Sequence, residues 1–232
     1  MSRNRRVALL GGVAYLITFA ASIPALPLLE PVTGHAGYVL GAGKDTQVVL
    51  GGVMELVTAF ACVATALALY PVTRQVSRTA ALGFVSSRLV EAGLILIGVV
   101  SVLSVVTLRQ DLGGAPDAPT ALTTVAQALV DVRGWTFLFG PGIMPAVNAL
   151  FLGTVLYRAG LVPRLLPVLG FVGAPLLVAK TMVGAFGGMA DLSVAAGLLT
   201  LPIAAWELGL GLWLTFKGFR PSPALVREPA PA

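Results

Sequence analysis

The chain has 232 residues, of which 57% are hydrophobic and only 11% charged, against about 25% charged in an ordinary soluble domain. At a mean hydropathy of +0.93 the polar side chains are too few to cover a water-facing surface, so the bilayer is the expected solvent. The net charge of +5 fits membrane orientation better than nucleic acid, because no dense basic patch is present, and a single Cys and a single His exclude an intramolecular disulfide, a Cys-rich metal site and multi-histidine zinc or iron sites.

A helix crosses about 30 Å of hydrocarbon with about 20 residues. Six apolar runs of that order follow one another: Val7 to Leu29, Gln47 to Tyr70, Thr79 to Leu108, Gly134 to Tyr157, Leu165 to Phe186 and Leu192 to Phe216. They are continuous and lack period-two alternation, which predicts an all-α bundle of six transmembrane helices and not a barrel. The first run follows Arg3, Arg5 and Arg6 but is longer than a signal-peptide core, and it is expected to stay as an anchor. Between the third and fourth runs, Gly113 to Pro119 is turn-rich, and Thr120 to Val132 is expected as a short helix lying at the interface. The membrane domain is expected to cover 1–219. The tail 220–232, with Pro221, Pro223, Pro229 and Pro231, is expected to be disordered. No sequence match relates the first three runs to the last three.

With the N-terminus inside, the inner segments hold ten Lys and Arg, and the outer ones hold Lys44, Arg109 and Arg133. This bias predicts cytoplasmic termini in a multi-pass protein of the inner (plasma) membrane.

Five polar residues fall where lipid disfavours them: Glu55 in the second run, Arg88 and Glu91 in the third, Asn148 in the fourth and Glu207 in the sixth. Ionisable groups at membrane depth cost about 2.5–3.5 kcal/mol each on insertion scales and by default mark a functional interior, so these should face one another. Arg88 and Glu91, three apart, share a helix face and permit an ion pair. Glu55 shares its face with Gly51, Gly52, Ala59 and Cys62, small residues that admit a close neighbour. Lys180 is placed to snorkel or to reach the mouth of the same pocket. Three carboxylates against one guanidinium leave an excess of acid, so at least one of Glu55, Glu91 and Glu207 is expected to carry a proton. That makes them the candidate catalytic acids and bases. Asp131 and Arg133 are expected as a surface pair or loop anchor.

The run Phe139-Gly140-Pro141-Gly142-Ile143-Met144-Pro145 should kink or unwind the fourth helix, which membrane depth tolerates where protein or a cavity satisfies the backbone. Arg88, Asn148, Trp206, Pro141 and Pro145 are therefore the candidate substrate-binding residues. For Arg88 with Glu91 a structural staple is an equal alternative, and interhelical hydrogen bonding is the commoner use of an Asn such as Asn148.

Gly52-Val53-Met54-Glu55, Ser87-Arg88-Leu89-Val90-Glu91-Ala92, Pro145-Ala146-Val147-Asn148-Ala149-Leu150, Leu156-Tyr157-Arg158, Leu161-Val162-Pro163-Arg164, Trp206-Glu207 and Lys217-Gly218-Phe219 together resemble a bacterial integral-membrane family, domain of unknown function 4386. The resemblance covers nearly the whole chain. It implies the six-span architecture and the importance of these positions, and no reaction.

No phosphate-binding loop, dinucleotide fingerprint, metalloprotease motif or nucleophile elbow is present, so no cofactor or metal is implied. Three functions are expected to compete. One is an intramembrane acid–base enzyme acting on a lipid-soluble isoprenoid or acyl substrate, with membrane lipid as its surroundings. The others are a proton-coupled carrier of small molecules and a non-catalytic membrane subunit or sensor. A pocket holding separated carboxylates would favour the first, a route to both faces the second, and fully paired acids without a cavity the third.

Overall fold

The computed structural model describes residues 1–35, 37–41, 43–112, 119–188 and 193–225. Among these it is helical throughout: α1 (Arg3–Thr33), α2 (Asp45–Val76), α3 (Arg78–Leu112), α4 (Pro119–Phe139), α5 (Met144–Arg158), α6 (Leu165–Ala185) and α7 (Val194–Phe216), with short 3₁₀ turns at Tyr38–Leu40 and Pro223–Leu225. Six stretches are long and apolar enough to cross a membrane, with α4 and α5 together forming the fourth. The expected turn over 113–118, the link 189–191 with Leu192, and 226–232 of the tail lie outside the described residues. Within the tail, Arg220 N–H donates to Leu161 O (2.8 Å) and Leu225 packs on the main core.

The first three helices outrun their apolar windows. α2 continues through Pro71 to Val76, and only Ser77 separates it from α3, where the Ser77 hydroxyl accepts from Ala80 N–H (3.3 Å) as an N-cap. At about 1.5 Å per residue, the 35 residues of α3 reach about 52 Å, well beyond the hydrocarbon. The end at which α1 finishes and α2 begins, and at which α3 finishes and α4 begins, is called here the loop end. There Leu29, Val39, Val48, Val102, Val106, Leu122 and Ala126 form a separate apolar cluster. The other end, called here the terminal end, holds the start of α1 and the finish of α7: Arg5 donates from Nη1 to Leu214 O (3.0 Å) and from Nη2 to Thr215 O (2.6 Å), satisfying carbonyls that the last turn of α7 leaves free.

One expectation is corrected here. Thr120 to Val132 is not a separate interfacial helix but the first part of α4, which runs unbroken from the loop end to Phe139. No glycine or proline interrupts residues 120–133, so the helix ends only where Gly140-Pro141-Gly142 stops it. At that break Gly142 O accepts the Thr181 hydroxyl of α6 (2.6 Å), and Met144 N–H returns to Gly140 O (2.9 Å). The unwound backbone is thus paired by protein, as membrane depth requires.

Helix association in lipid gains little from apolar burial and depends on close contact. A Cβ added at Gly173 of α6 would lie 2.6 Å from Ile203 N of α7, and one at Gly12 of α1 would lie 2.6 Å from Thr215 N. Leu10, Phe60, Leu67, Val100, Leu198 and Phe216 point outward and are exposed, the distribution a lipid-facing surface needs.

Candidate functional site

On α3, Ser87, Arg88 and Glu91 all turn inward and are buried. The Arg88 guanidinium, 1% exposed, is shared by two acids: Nη1 meets Glu91 Oε2 at 3.0 Å and Nη2 meets Glu207 Oε1 of α7 at 2.7 Å. Nη1 also lies 3.5 Å from Cys62 Sγ of α2. The cation stands over the Tyr15 ring of α1 at 4.8 Å, so one guanidinium ties four helices together. The fork geometry of Arg lets it serve two carboxylates at once, which an ammonium cannot do with the same fixed directions.

Asn148 of α5 adds the fifth. Its Nδ2 donates to Glu91 Oε2 (2.7 Å) and its Oδ1 accepts from Ser87 Oγ (2.6 Å). Ser87 and Glu91 are one helical turn apart, so the side-chain amide spans them and fixes α5 against α3. Glu91 Oε2 therefore accepts from both an arginine and an amide.

Glu55 is buried on α2, on the small-residue face expected for it, and its partner is Arg133 of α4 through Oε1 and Nη2. This corrects the reading of Arg133 as a surface residue paired with Asp131. Arg133 is 6% exposed, whereas Asp131 is exposed and accepts from Gln127 (2.8 Å). Residues two apart on a helix point about 200° apart and do not face each other. The overlooked signal was periodicity: Arg133 follows Leu122 and Ala126 on one buried face of α4. Gly98 of α3 makes the room, since a Cβ there would come within 2.9 Å of Arg133 Cδ and of Thr136 Oγ1. Among the described residues the polar core consequently sets two guanidiniums, and not one, against the three carboxylates.

These groups meet at a cavity of about 210 Å³. Glu55, Cys62, Arg88, Glu91 and Glu207 line its polar side, with Pro141 and Pro145 from the break in span four. Its other walls come from α1, through Thr18, Ser22, Ile23 and Leu26, and from α7, through Thr200 and Ala204. Ile23 is 60% exposed while lining the cavity, which places a mouth on the lipid-facing side of α1 and α7. The two helices touch at their terminal-end halves, where Gly211 abuts Tyr15 and Leu16, and the cavity occupies the halves beyond that contact.

Not every candidate lies there. Trp206 is fully buried in the main apolar core, with its ring over Gly170, and it is not part of the lining. Asn148 reaches the cavity only through Glu91. Lys180 is buried on α6 and does not line the cavity either. Tyr15, which the sequence did not single out, is buried beneath Arg88. Among the described residues, four polar atoms of the cluster have no hydrogen-bond partner: Tyr15 Oη, Glu55 Oε2, Arg88 Nε and Arg133 Nε.

A laterally open cavity with a buried acid–guanidinium cluster, inside six apolar spans, defines a multi-pass helical membrane protein with a built polar interior. Residues 10–218 match the family model described as domain of unknown function (DUF4386), and the chain belongs to that family. No curated protein and no solved structure matches it.

Proposed function

We propose that the protein is an intramembrane acid–base enzyme acting on the polar end of a lipid-soluble isoprenoid or acyl molecule, in a plasma membrane with both termini cytoplasmic. The observation that carries this is the cavity itself, which joins carboxylates at its polar side to a mouth in the lipid-facing wall. At about 30 Å³ per water, 210 Å³ is about seven waters' worth. That suits the reacting end of a substrate whose chain trails between α1 and α7, and it is below the 300–1,000 Å³ usual for whole drug-sized ligands.

The three acids differ in what they are free to do. Glu207 shares Arg88 with Glu91, so two carboxylates face one cation, and a proton on Glu207 balances the charge. Glu207 is also the most exposed of the three, with 13% of its side chain accessible, and it serves as the proton donor. Glu55 has Arg133 as its own partner, and its unpartnered Oε2 serves as the acceptor. Acid and base in separate environments are what proton transfer at a fixed substrate requires.

The test is incubation of the membrane-reconstituted protein with lipid extract in D₂O, followed by mass spectrometry of the lipids. Deuterium should enter one lipid class, the label should be lost in Glu207→Gln and Glu55→Gln, and Ala204→Phe, which narrows the mouth, should abolish it without unfolding the bundle. Absence of any altered lipid with the folded wild type would overturn the proposal. A second cavity beside the first, together with the broken fourth span, favours a proton-coupled carrier as the alternative; Glu207-dependent proton flux into proteoliposomes without lipid turnover would select it.

A further inference from the structure

A larger cavity of about 570 Å³ lies at the loop end, between the end of α1, α4 and the end of α6. Its lining is mixed: Thr33, Gln127, Asp131 and Arg133 are polar, while Val130, Trp135 and Leu138 are not. Thr33, Gln127, Asp131 and Trp135 are exposed, so this vestibule communicates with the surface. It has room for about twenty waters.

The two cavities are next to each other. Leu26 and Phe137 line both. Arg133 lines the vestibule, Glu55 lines the inner cavity, and the two form an ion pair. The Arg133 guanidinium also lies over the Phe137 ring at 4.7 Å. The wall between the cavities is therefore made of side chains: one ion pair, one ring and Leu26. Each charge of the pair belongs to a different compartment, and each keeps an atom without a hydrogen-bond partner, Arg133 Nε and Glu55 Oε2. An orphaned donor and an orphaned acceptor on the ion pair of this wall are the groups through which water would bridge the cavities.

We propose that the vestibule is the aqueous port of the inner site, admitting water and its protons from the loop end through the Glu55–Arg133 wall, while the lipid-soluble molecule enters sideways between α1 and α7. The proposal deepens the acid–base assignment by naming its second reactant as water or a water-borne proton, and it rests on that assignment for its use. The wall itself can be tested without any turnover, so a failure of access and a failure of catalysis are told apart.

The experiment replaces Cys62, the single cysteine of the chain, by Ala and introduces one reporter at a time. A membrane-impermeant, charged methanethiosulfonate reagent is then applied in liposomes. Gln127→Cys, in the vestibule, should label as an exposed thiol. Thr58→Cys, one turn from Glu55 in the inner cavity, should label slowly while the pair is intact. Labelling at Thr58→Cys should be at least tenfold faster once Arg133→Ala removes the wall. Should Arg133→Ala fail to fold because it strands a buried carboxylate, the charge-free pair Glu55→Ser with Arg133→Ser should give the same acceleration. The volume-keeping pair Glu55→Gln with Arg133→Met should leave labelling slow. Slow labelling in the wall-less variants, or fast labelling with the wall intact, would overturn the proposal.

Discussion

Replacing Arg88 by Met keeps the aliphatic stem and removes the charge, leaving Glu91 and Glu207 facing each other without a cation. Removing one partner of a buried ion pair costs about 3–5 kcal/mol. Loss of the desolvated contact with the Tyr15 ring, 4.8 Å away, adds up to about 2 kcal/mol. The expected destabilisation is therefore about 3–7 kcal/mol. At about 2–4 °C per kcal/mol for a chain of this size, this corresponds to a fall of about 6–28 °C in Tm. Most of the penalty belongs to the buried acid charge left without a cation and not to the lost attraction. The triple variant R88M/E91Q/E207Q should consequently recover to within about 2 kcal/mol of the wild type, because an uncharged network no longer needs the cation. The side-chain amide that E91Q introduces also retains an acceptor for Asn148 Nδ2. Arg88→Lys should fall between, since an ammonium cannot reproduce the fork. Thermal unfolding in detergent, followed by circular dichroism with monodispersity checked by gel filtration, measures all three. Equal stability of the single and triple variants, or a single variant within about 1 kcal/mol of the wild type, would refute the reasoning.

Gly98→Ala places a methyl 2.9 Å from Arg133 Cδ and should cost about 1–3 kcal/mol as overpacking; the same unfolding assay should find a smaller cost when Arg133 is already replaced by alanine. Asn148→Ala removes the amide that clamps Ser87 to Glu91 and should cost about 1–3 kcal/mol. Asn148→Asp should cost more, because it sets a second carboxylate against Glu91, and comparison of their melting curves decides the order. Gly173→Ala brings a methyl against the Ile203 backbone, 2.6 Å away, where no flexible side chain can yield. It should loosen the α6–α7 contact, seen as faster amide exchange on α7 around Ile203, with α2 and α3 unaffected.

The spans, the break in the fourth and the list of misplaced polar residues were legible in the sequence, because each depends on local chemistry. Twenty apolar residues are long enough to cross a bilayer whatever surrounds them, and Gly140-Pro141-Gly142 interrupts a helix in any context. The penalty on Glu55, Arg88, Glu91 and Glu207 arises from membrane depth alone. Partnership is a different matter. Arg133 lies near a loop in the sequence and looked peripheral, yet the length of α4 and the notch at Gly98 carry it to Glu55, 78 positions away. Trp206 adjoins Glu207 in sequence but faces away from the cavity into the core, because neighbours on a helix diverge by about 100°. Which acid shares a cation and which keeps one, where the lateral mouth opens and that a second cavity adjoins the first were decided by the packing of separate helices. Hydropathy sums the residues along one helix, and it carries no term for the face a neighbouring helix presents.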